Sequence, residues 1–381
     1  MKKLFINIRY FIAPLLILAS IFGVLAGGPW VWTGVAMLGI GIIVDTLTKA
    51  QTPGAGFDEN GSSYASAGIQ NGAMYGMLGA FVLLQIVLAW RVWEYATGVL
   101  ITESSLLGFT IQEGITGTQL IGATLSSGIF AGIGIIYGHE LAHTKGFSFV
   151  IARWMMALSG KAHFCYAHVY NHHLELGHQD DPASAPRGRS LYKHFPLSGI
   201  GQSKFLFNME KQRLERLGAP IFSWQNRWIR GYAMSLPTMF LFWFAGGWIG
   251  IGALAVLWMI ANFELEALNY LEHYGLIREK GQPIDYRHSW DNNTAFTSWF
   301  FIEIGRQADH HDRGETHFWE LDDVGAPNCG RGYFSLFALT LLPPIWHKYI
   351  AEQLDKWDRE MASEGELKIA EPLNKAAGYA S

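Results

Sequence analysis

Charge is scarce in this chain: Asp, Glu, Lys and Arg make up 16% of its 381 residues, where soluble domains carry about 25%. That deficit excludes a fully water-solvated surface and makes lipid part of the solvent. Cysteine is scarcer still. The two present, Cys165 and Cys329, can build neither a CxxC-type cluster nor a disulfide framework. No basic stripe exists, and a net charge of −4 gives no sign of a nucleic-acid partner. A GxGxxG unit, a flavin motif and a cysteine-rich iron–sulfur motif are all missing.

Long apolar runs are what the chain does have. They fall roughly at 11–26, 30–47, 73–90, 118–137, 233–248 and 249–263. About 20 residues cross a bilayer as helix, so several are just long enough. The first run could be a signal peptide. However, a second follows after only Gly27, Gly28 and Pro29, with no AxA-like site, so a membrane hairpin is the better reading. The expected fold is an all-α integral membrane protein. It has six spans in three hairpins and forms a single domain over 1–381.

Lysine and arginine set the orientation. Lys2, Lys3 and Arg9 precede the first span, and a basic stretch including Lys204, Lys211, Arg213, Arg216, Arg227 and Arg230 lies between the fourth and fifth. Both termini and a helical cap made of 138–230 and 264–381 are therefore expected on the cytoplasmic side of an inner membrane. Residues 154–158 and 209–217 read as amphipathic helix. The apolar stretch 334–349 is broken by Pro343 and Pro344 and reads as re-entrant or buried. The tail from Asp355 is polar, and there is no internal repeat.

The 14 histidines are clustered. His139 and His143 form HELAH after the fourth span. His168, His172 and His173 form HVYNHH, His273 lies in NYLEHYG after the sixth span, and His310 and His311 form DHH. On an α-helix, residues i and i+4 share a face. His139 with His143, and His168 with His172, can each serve one ion. His173 and His311 are turned from their neighbours by about 100°, which suits a second ion. His163, His194 and His347 read as ordinary surface or capped residues.

Imidazole ligates iron, zinc and copper. HELAH fits the zincin pattern HExxH with Glu140 as general base, so a membrane zinc protease is one reading. A catalytic zinc takes three protein ligands and a water, which would leave five or more histidines without a role. A haem would need only one or two axial histidines. An all-histidine shell large enough for two ions suits non-haem iron doing oxygen chemistry.

HELAHTK, HVYNHH, NYLEHYGL, RHSWDNN and DHHDRGETHFWEL resemble the boxes of the membrane diiron hydroxylases, which include the alkane monooxygenases and the xylene monooxygenase hydroxylase subunit. DDPASAPRGRSLY and GQPI add to the match, while GGPWVW and LNKAAGY sit closer to the xylene-type branch. The resemblance implies two iron ions and molecular oxygen. The implied reaction is hydroxylation of a terminal methyl or related C–H bond of a hydrophobic alkane or alkyl-aromatic. It further implies the ligands His139, His143, His168, His172, His173, His273, His310 and His311. The family's last box reads HxxHH; here Gln307 stands where its first histidine would be. Weak ligation through the glutamine oxygen or a water held by it is expected, with His317 or His178 as substitutes otherwise. A lipid desaturase with the same metal chemistry is the alternative.

Glu140, Asp180, Asp181, Glu266, Glu272, Asp309, His178 and His288 are candidates to orient the ligands. Gly34, Gly39 and Gly41 in the second span leave room either for a substrate channel or for close helix packing. Each turnover needs two electrons. A separate donor protein, of rubredoxin or ferredoxin-reductase type, is expected to dock on the cytoplasmic face, where the basic stretch Lys204 to Arg230 can receive it.

Overall fold

The computed structural model describes residues 2–379. Its main helices are α1 (Ile12–Ala26), α2 (Thr33–Leu47), α3 (Ala67–Thr97), α4 (Gly117–Ala142), α5 (Phe147–Leu158), α6 (Leu191–Arg216), α7 (Leu236–His273), α8 (Gln307–Asp312), α9 (Tyr333–Thr340), α10 (Pro343–Glu360) and α11 (Glu364–Ala377). The fold is mostly helical, in line with the all-α expectation, with one small addition. A two-stranded hairpin, β1 (Thr102–Leu106) with β2 (Phe109–Glu113), joins α3 to α4. Its turn residues Leu107 and Gly108 have φ of 51° and 85°, the left-handed pair that a tight two-residue hairpin needs.

Helix α4 is the axle. Thr116 opens it with a capping box, its hydroxyl accepting from Gln119 N at 3.2 Å while Gln119 Oε1 accepts from Thr116 N at 2.9 Å. Small residues let neighbours approach: a Cβ at Gly128 would lie 2.8 Å from Ile260 on α7. In lipid, close backbone packing replaces the hydrophobic drive between helices, and α4 is buried along most of its length.

Five stretches among the described residues are long and apolar enough to cross a membrane: Lys2–Ala26, Gly28–Leu47, Ala67–Thr97, Gly117–Ala142 and Arg227–His273. The last contains both segments expected from the sequence at 233–248 and 249–263. Gly246 and Gly247 inside it have non-helical backbones, Gly247 with φ 54°, and there the chain folds back. Ser235 Oγ donates to Ala157 O at 2.7 Å, and Trp258 Nε1 donates to Leu158 O at 2.7 Å. A straight helix would hold Ser235 and Trp258 about 35 Å apart, so two arms lie side by side.

The turns gather at one end of the bundle. Buried Arg91 on α3 donates to Val24 O at 2.8 Å, to Leu25 O at 2.6 Å and to Gln112 O at 2.9 Å. It thereby satisfies carbonyls that the end of α1 leaves open and ties the β-hairpin down. Gly246 packs against Val92 of the same helix. The histidine-bearing end of α4 is opposite, beside the start of α3, where Tyr75 Oη and Ser148 Oγ share a hydrogen bond of 2.7 Å.

The broken apolar stretch becomes α9 and α10, with the prolines opening α10. Asp45 at the end of α2 accepts from Ser335 N at 3.0 Å and from Thr297 Oγ1 at 2.7 Å, which tucks α9 against the bundle. The polar tail folds over the cap. Arg187 donates to Gly275 O at 2.8 Å, to Asp358 Oδ1 at 2.7 Å and to Asn374 Oδ1 at 2.6 Å.

Candidate metal centre

Four stretches of chain deliver the histidines. His139 and His143 stand one turn apart where α4 ends, their rings 5.3 Å apart. The second stretch departs from the expected spacing. His168–His172 wind as a turn of π-helix, in which backbone bonds span five residues. The wider turn sets His168 beside His173, their Nε2 atoms 3.1 Å apart. It sends His172 towards His273 and His311, with ring centroids at 4.7 and 5.0 Å. The expected pairing of His168 with His172 on one ion is therefore corrected. His273 ends α7, and α8 carries His310 and His311.

The ring nitrogens form two groups, each with atoms within 4.8 Å of one another: His139, His143, His168 and His310, and His172, His273 and His311. His310 and His311 separate as the helical offset requires. His173 lies between the groups, its ring 4.6 Å from that of His143 and 4.4 Å from that of His311. His163, His194 and His347 belong to neither group.

The arrangement fits a metal. Around His168 Nε2 stand the Nε2 atoms of His139 at 2.8 Å, His143 at 3.1 Å and His173 at 3.1 Å. Both ring nitrogens of His273 and of His311, and Nε2 of His310, are buried without a hydrogen-bond partner. Buried polar atoms are normally paired, and converging lone pairs call for a cation. Burial, reinforced by neighbouring imidazoles, holds His168, His173 and His311 well below the usual histidine range and His310 down at about 4. Neutral imidazole is the form that binds metal.

Asp181 is the expected carboxylate that hydrogen-bonds a clustered imidazole. Its Oδ2 lies 2.8 Å from His172 Nδ1, and Ser184 Oγ donates to the same oxygen at 2.7 Å. Such a contact fixes the ring so that its other nitrogen faces the ion. Most of the remaining candidates are engaged elsewhere. Glu140 accepts from Phe318 N at 3.0 Å, and Asp309 pairs with Arg313 and accepts from Asp322 N at 2.8 Å. The His288 ring faces Glu366 at 2.8 Å, Glu266 pairs with Lys161, and Asp180 lies 3.2 Å from His178. Glu272 lies beside Gln307 and Tyr333, its Oε1 without a partner.

Sequence reasoning missed Asp291. Its Oδ1 accepts from Ala308 N at 2.9 Å, holding the first turn of α8 and with it His310 and His311. Burial pushes its carboxyl up to about 8. Its signal was the RHSWDNN box, quoted above only for its resemblance.

Gln307 is buried, and its Nε2 donates to Ile304 O at 2.8 Å. The proposed substitutes do not swing in: His317 stacks on Trp319 with ring centroids 4.4 Å apart, and His178 sits with Glu175 and Asp180. The zincin reading also fails on geometry. His139 and His143 share their site with His168 and His310, leaving no open fourth position of the kind a catalytic zinc keeps.

Two spaces approach the histidines. A solvent-facing bowl of about 630 Å3 reaches His143 and His173 past Tyr166, Tyr170, Lys145 and Arg227. From the bundle side, a narrow apolar cavity of about 50 Å3 is lined by Ile129, Ile133, Ile136, Leu268, Phe334 and Phe337, among others. Ile136 also borders the gap beneath His139 and His310. Of the second-span glycines, two serve close packing: a Cβ at Gly34 would lie 2.7 Å from Ser126, and one at Gly41 would lie 3.0 Å from Phe334, a residue that lines this cavity, whereas Gly39 faces open space.

Residues 117–339 match the family model described as fatty acid desaturase. Over 236 residues the chain is 33% identical to alkane 1-monooxygenase 1 of Pseudomonas aeruginosa, covering 59% of this chain and 61% of that protein. Over 239 residues it is 30% identical to the alkane 1-monooxygenase of Acinetobacter baylyi, covering 60% and 58%. These alignments span about three fifths of the relatives' length. Over 381 residues it is 27% identical to the xylene/toluene monooxygenase hydroxylase component XylM of Pseudomonas putida, covering 98% and 96%.

Proposed function

The chain belongs to the fatty acid desaturase family, and on that premise, and from its likeness to alkane and xylene monooxygenases, we propose that it hydroxylates a methyl or related C–H bond of a hydrophobic alkane or alkyl-aromatic. The observation that carries this reading is the convergence of imidazoles from four stretches of chain into two groups, with the ring nitrogens of His273 and His311 and Nε2 of His310 buried and without a hydrogen-bond partner. His139, His143, His168 and His310 would hold one iron, and His172, His273 and His311 the other, with His173 between them. When bound, the irons supply activation of molecular oxygen for C–H attack.

The protein's own residues do the rest. Asp181 holds the His172 ring in one orientation through its Nδ1. Asp291 holds the start of α8. Ile133, Ile136 and Leu268 keep water from the bundle side and present an apolar surface to the substrate. Excluding water protects reactive species and favours the intended reaction. Purified protein should carry about two irons per chain and incorporate label from molecular oxygen into an alcohol product. One zinc, or an alkene without label, would refute the reading, the second result favouring the desaturase.

We infer six membrane-embedded arms, counting the two halves of Arg227–His273 separately, with the histidine end in the cytoplasm of an inner membrane. The clustering of the turns at the opposite end supports this, as does the basic stretch between the fourth and fifth arms. Cysteines introduced beside Arg213 should resist an impermeant thiol reagent in intact cells and react after lysis. The native thiols give little background, since Cys165 and Cys329 are both buried. Labelling from outside would overturn the orientation.

Electrons come from a separate protein. The bowl reaching His143 and His173 carries Arg227, and Lys145 paired with Glu315, on its rim; with the basic stretch from Lys204 to Arg230 it suits an acidic donor of rubredoxin or ferredoxin-reductase type. Turnover with NADH and oxygen alone should stay near background and rise at least about tenfold when donor proteins are added, falling again with salt as opposite charges are screened. A rate indifferent to the donor would contradict this.

A further inference from the structure

One carboxyl in the apolar cavity has no structural partner. Glu264 lies on α7 and lines the cavity with Leu38, Ile129, Leu268 and Phe337. No hydrogen bond or ion pair to it occurs among the described residues, whereas Glu266, two residues on, is fully engaged by Lys161 and Gln202. The site is fitted to the carboxyl. A Cβ at Gly132 on α4 would overlap the Glu264 oxygen, so the glycine leaves the space that the acid fills. Residues 264, 268 and 272 recur at four-residue intervals and share one helix stripe. That stripe runs about 12 Å from Glu264 past Leu268 to Glu272, next to His273.

A polar group facing an apolar cavity without a partner is costly, and a substrate that brings the missing partner offsets the cost. We propose that Glu264 is a specificity residue that recognises a hydroxyl or amine on an otherwise apolar substrate, roughly 10 Å from the methyl that faces the histidines. The inference rests on the hydroxylase reading and extends its substrate class to largely apolar molecules with one remote hydrogen-bonding group.

Decane and decanol are a matched pair of probes, oxidised in competition by the iron-loaded protein with its electron donor. A hydrogen bond to a carboxyl in such a site is worth about tenfold or more in selectivity. The parent should favour decanol at its methyl end by that factor in kcat/KM. Glu264→Leu should remove or invert the preference while decane oxidation persists, and Glu264→Gln, which keeps the shape and a hydrogen-bonding amide, should retain part of it. A second readout is independent of turnover: decanol should raise the thermal midpoint of the parent more than decane does, and Glu264→Leu should lose that difference. Equal handling of the two probes by parent and Glu264→Leu, in both rate and thermal shift, overturns the inference and leaves the hydroxylase reading intact. Decanol stabilisation that depends on Glu264, with neither probe oxidised, supports the carboxyl's role and counts against the hydroxylase reading instead.

Discussion

His143→Ala and His172→Ala should each abolish turnover, by about a thousandfold or more, and each should lower bound iron. Altering a residue that merely orients a ligand costs about 10- to 100-fold in metal affinity or activity, so removing a ligand costs more. The two substitutions strike different groups, since His143 sits with His139, His168 and His310, and His172 with His273 and His311. Each variant should therefore lose close to half of the iron, not all of it. Asp181→Asn supplies the graded comparison. It keeps the shape beside His172 but weakens the contact at Nδ1, and it should fall between the parent and the alanine variant. Iron measured on purified protein, alongside product formation, decides the matter. A variant retaining full iron and full turnover removes its residue from the ligand set.

That these histidines gather was legible in the sequence because clustering of a rare residue survives any uncertainty about folding. Their division into two groups was only partly legible. α-Helical spacing separates His310 from His311 and unites His139 with His143, and both relations hold. The same spacing fails at HVYNHH, where the backbone widens into a π-turn. A π-turn has no reliable sequence signature; here it presents His168 to one group and His172 to the other, with His173 between them. The neighbours of the ligands were harder still to read. Asp181 and Asp291 act across 9 and 17 residues of sequence, and long-range partners of this kind are set by tertiary packing. The apolar runs gave the bundle, and the reversal at Gly246 and Gly247 falls close to the boundary between the runs read at 233–248 and 249–263. The clasp of the tail through Arg187, Asp358 and Asn374 was not legible, because a polar tail reads the same whether it folds back or extends.

Gln307→His should strengthen iron retention, slowing loss to a chelator by at least about tenfold, and should change the rate of turnover. The group formed by His172, His273 and His311 has three imidazoles where the other has four. Position 307 stands one helical turn before His310 on α8 and beside Glu272, the residue before His273. A histidine there shares the buried pocket of the poorer group. The present glutamine binds back to its own chain through Nε2 and Ile304 O, and no donor among the described residues holds its amide oxygen. That oxygen is a neutral, hard donor, weaker towards iron than imidazole. With three imidazoles, that group would leave a position on a bound ion to water and would hold the ion less firmly than the group with four. Gln307→Leu separates the two contributions. If the amide oxygen or a water on it assists the metal, leucine should lower iron content below the parent while histidine raises it. Were leucine, glutamine and histidine to give the same iron content, chelator half-life and rate, the side chain at 307 would face away from the metal, and the open position of the second group would have to be filled by another residue, for which Glu272, with its unpartnered Oε1, is the nearest at hand.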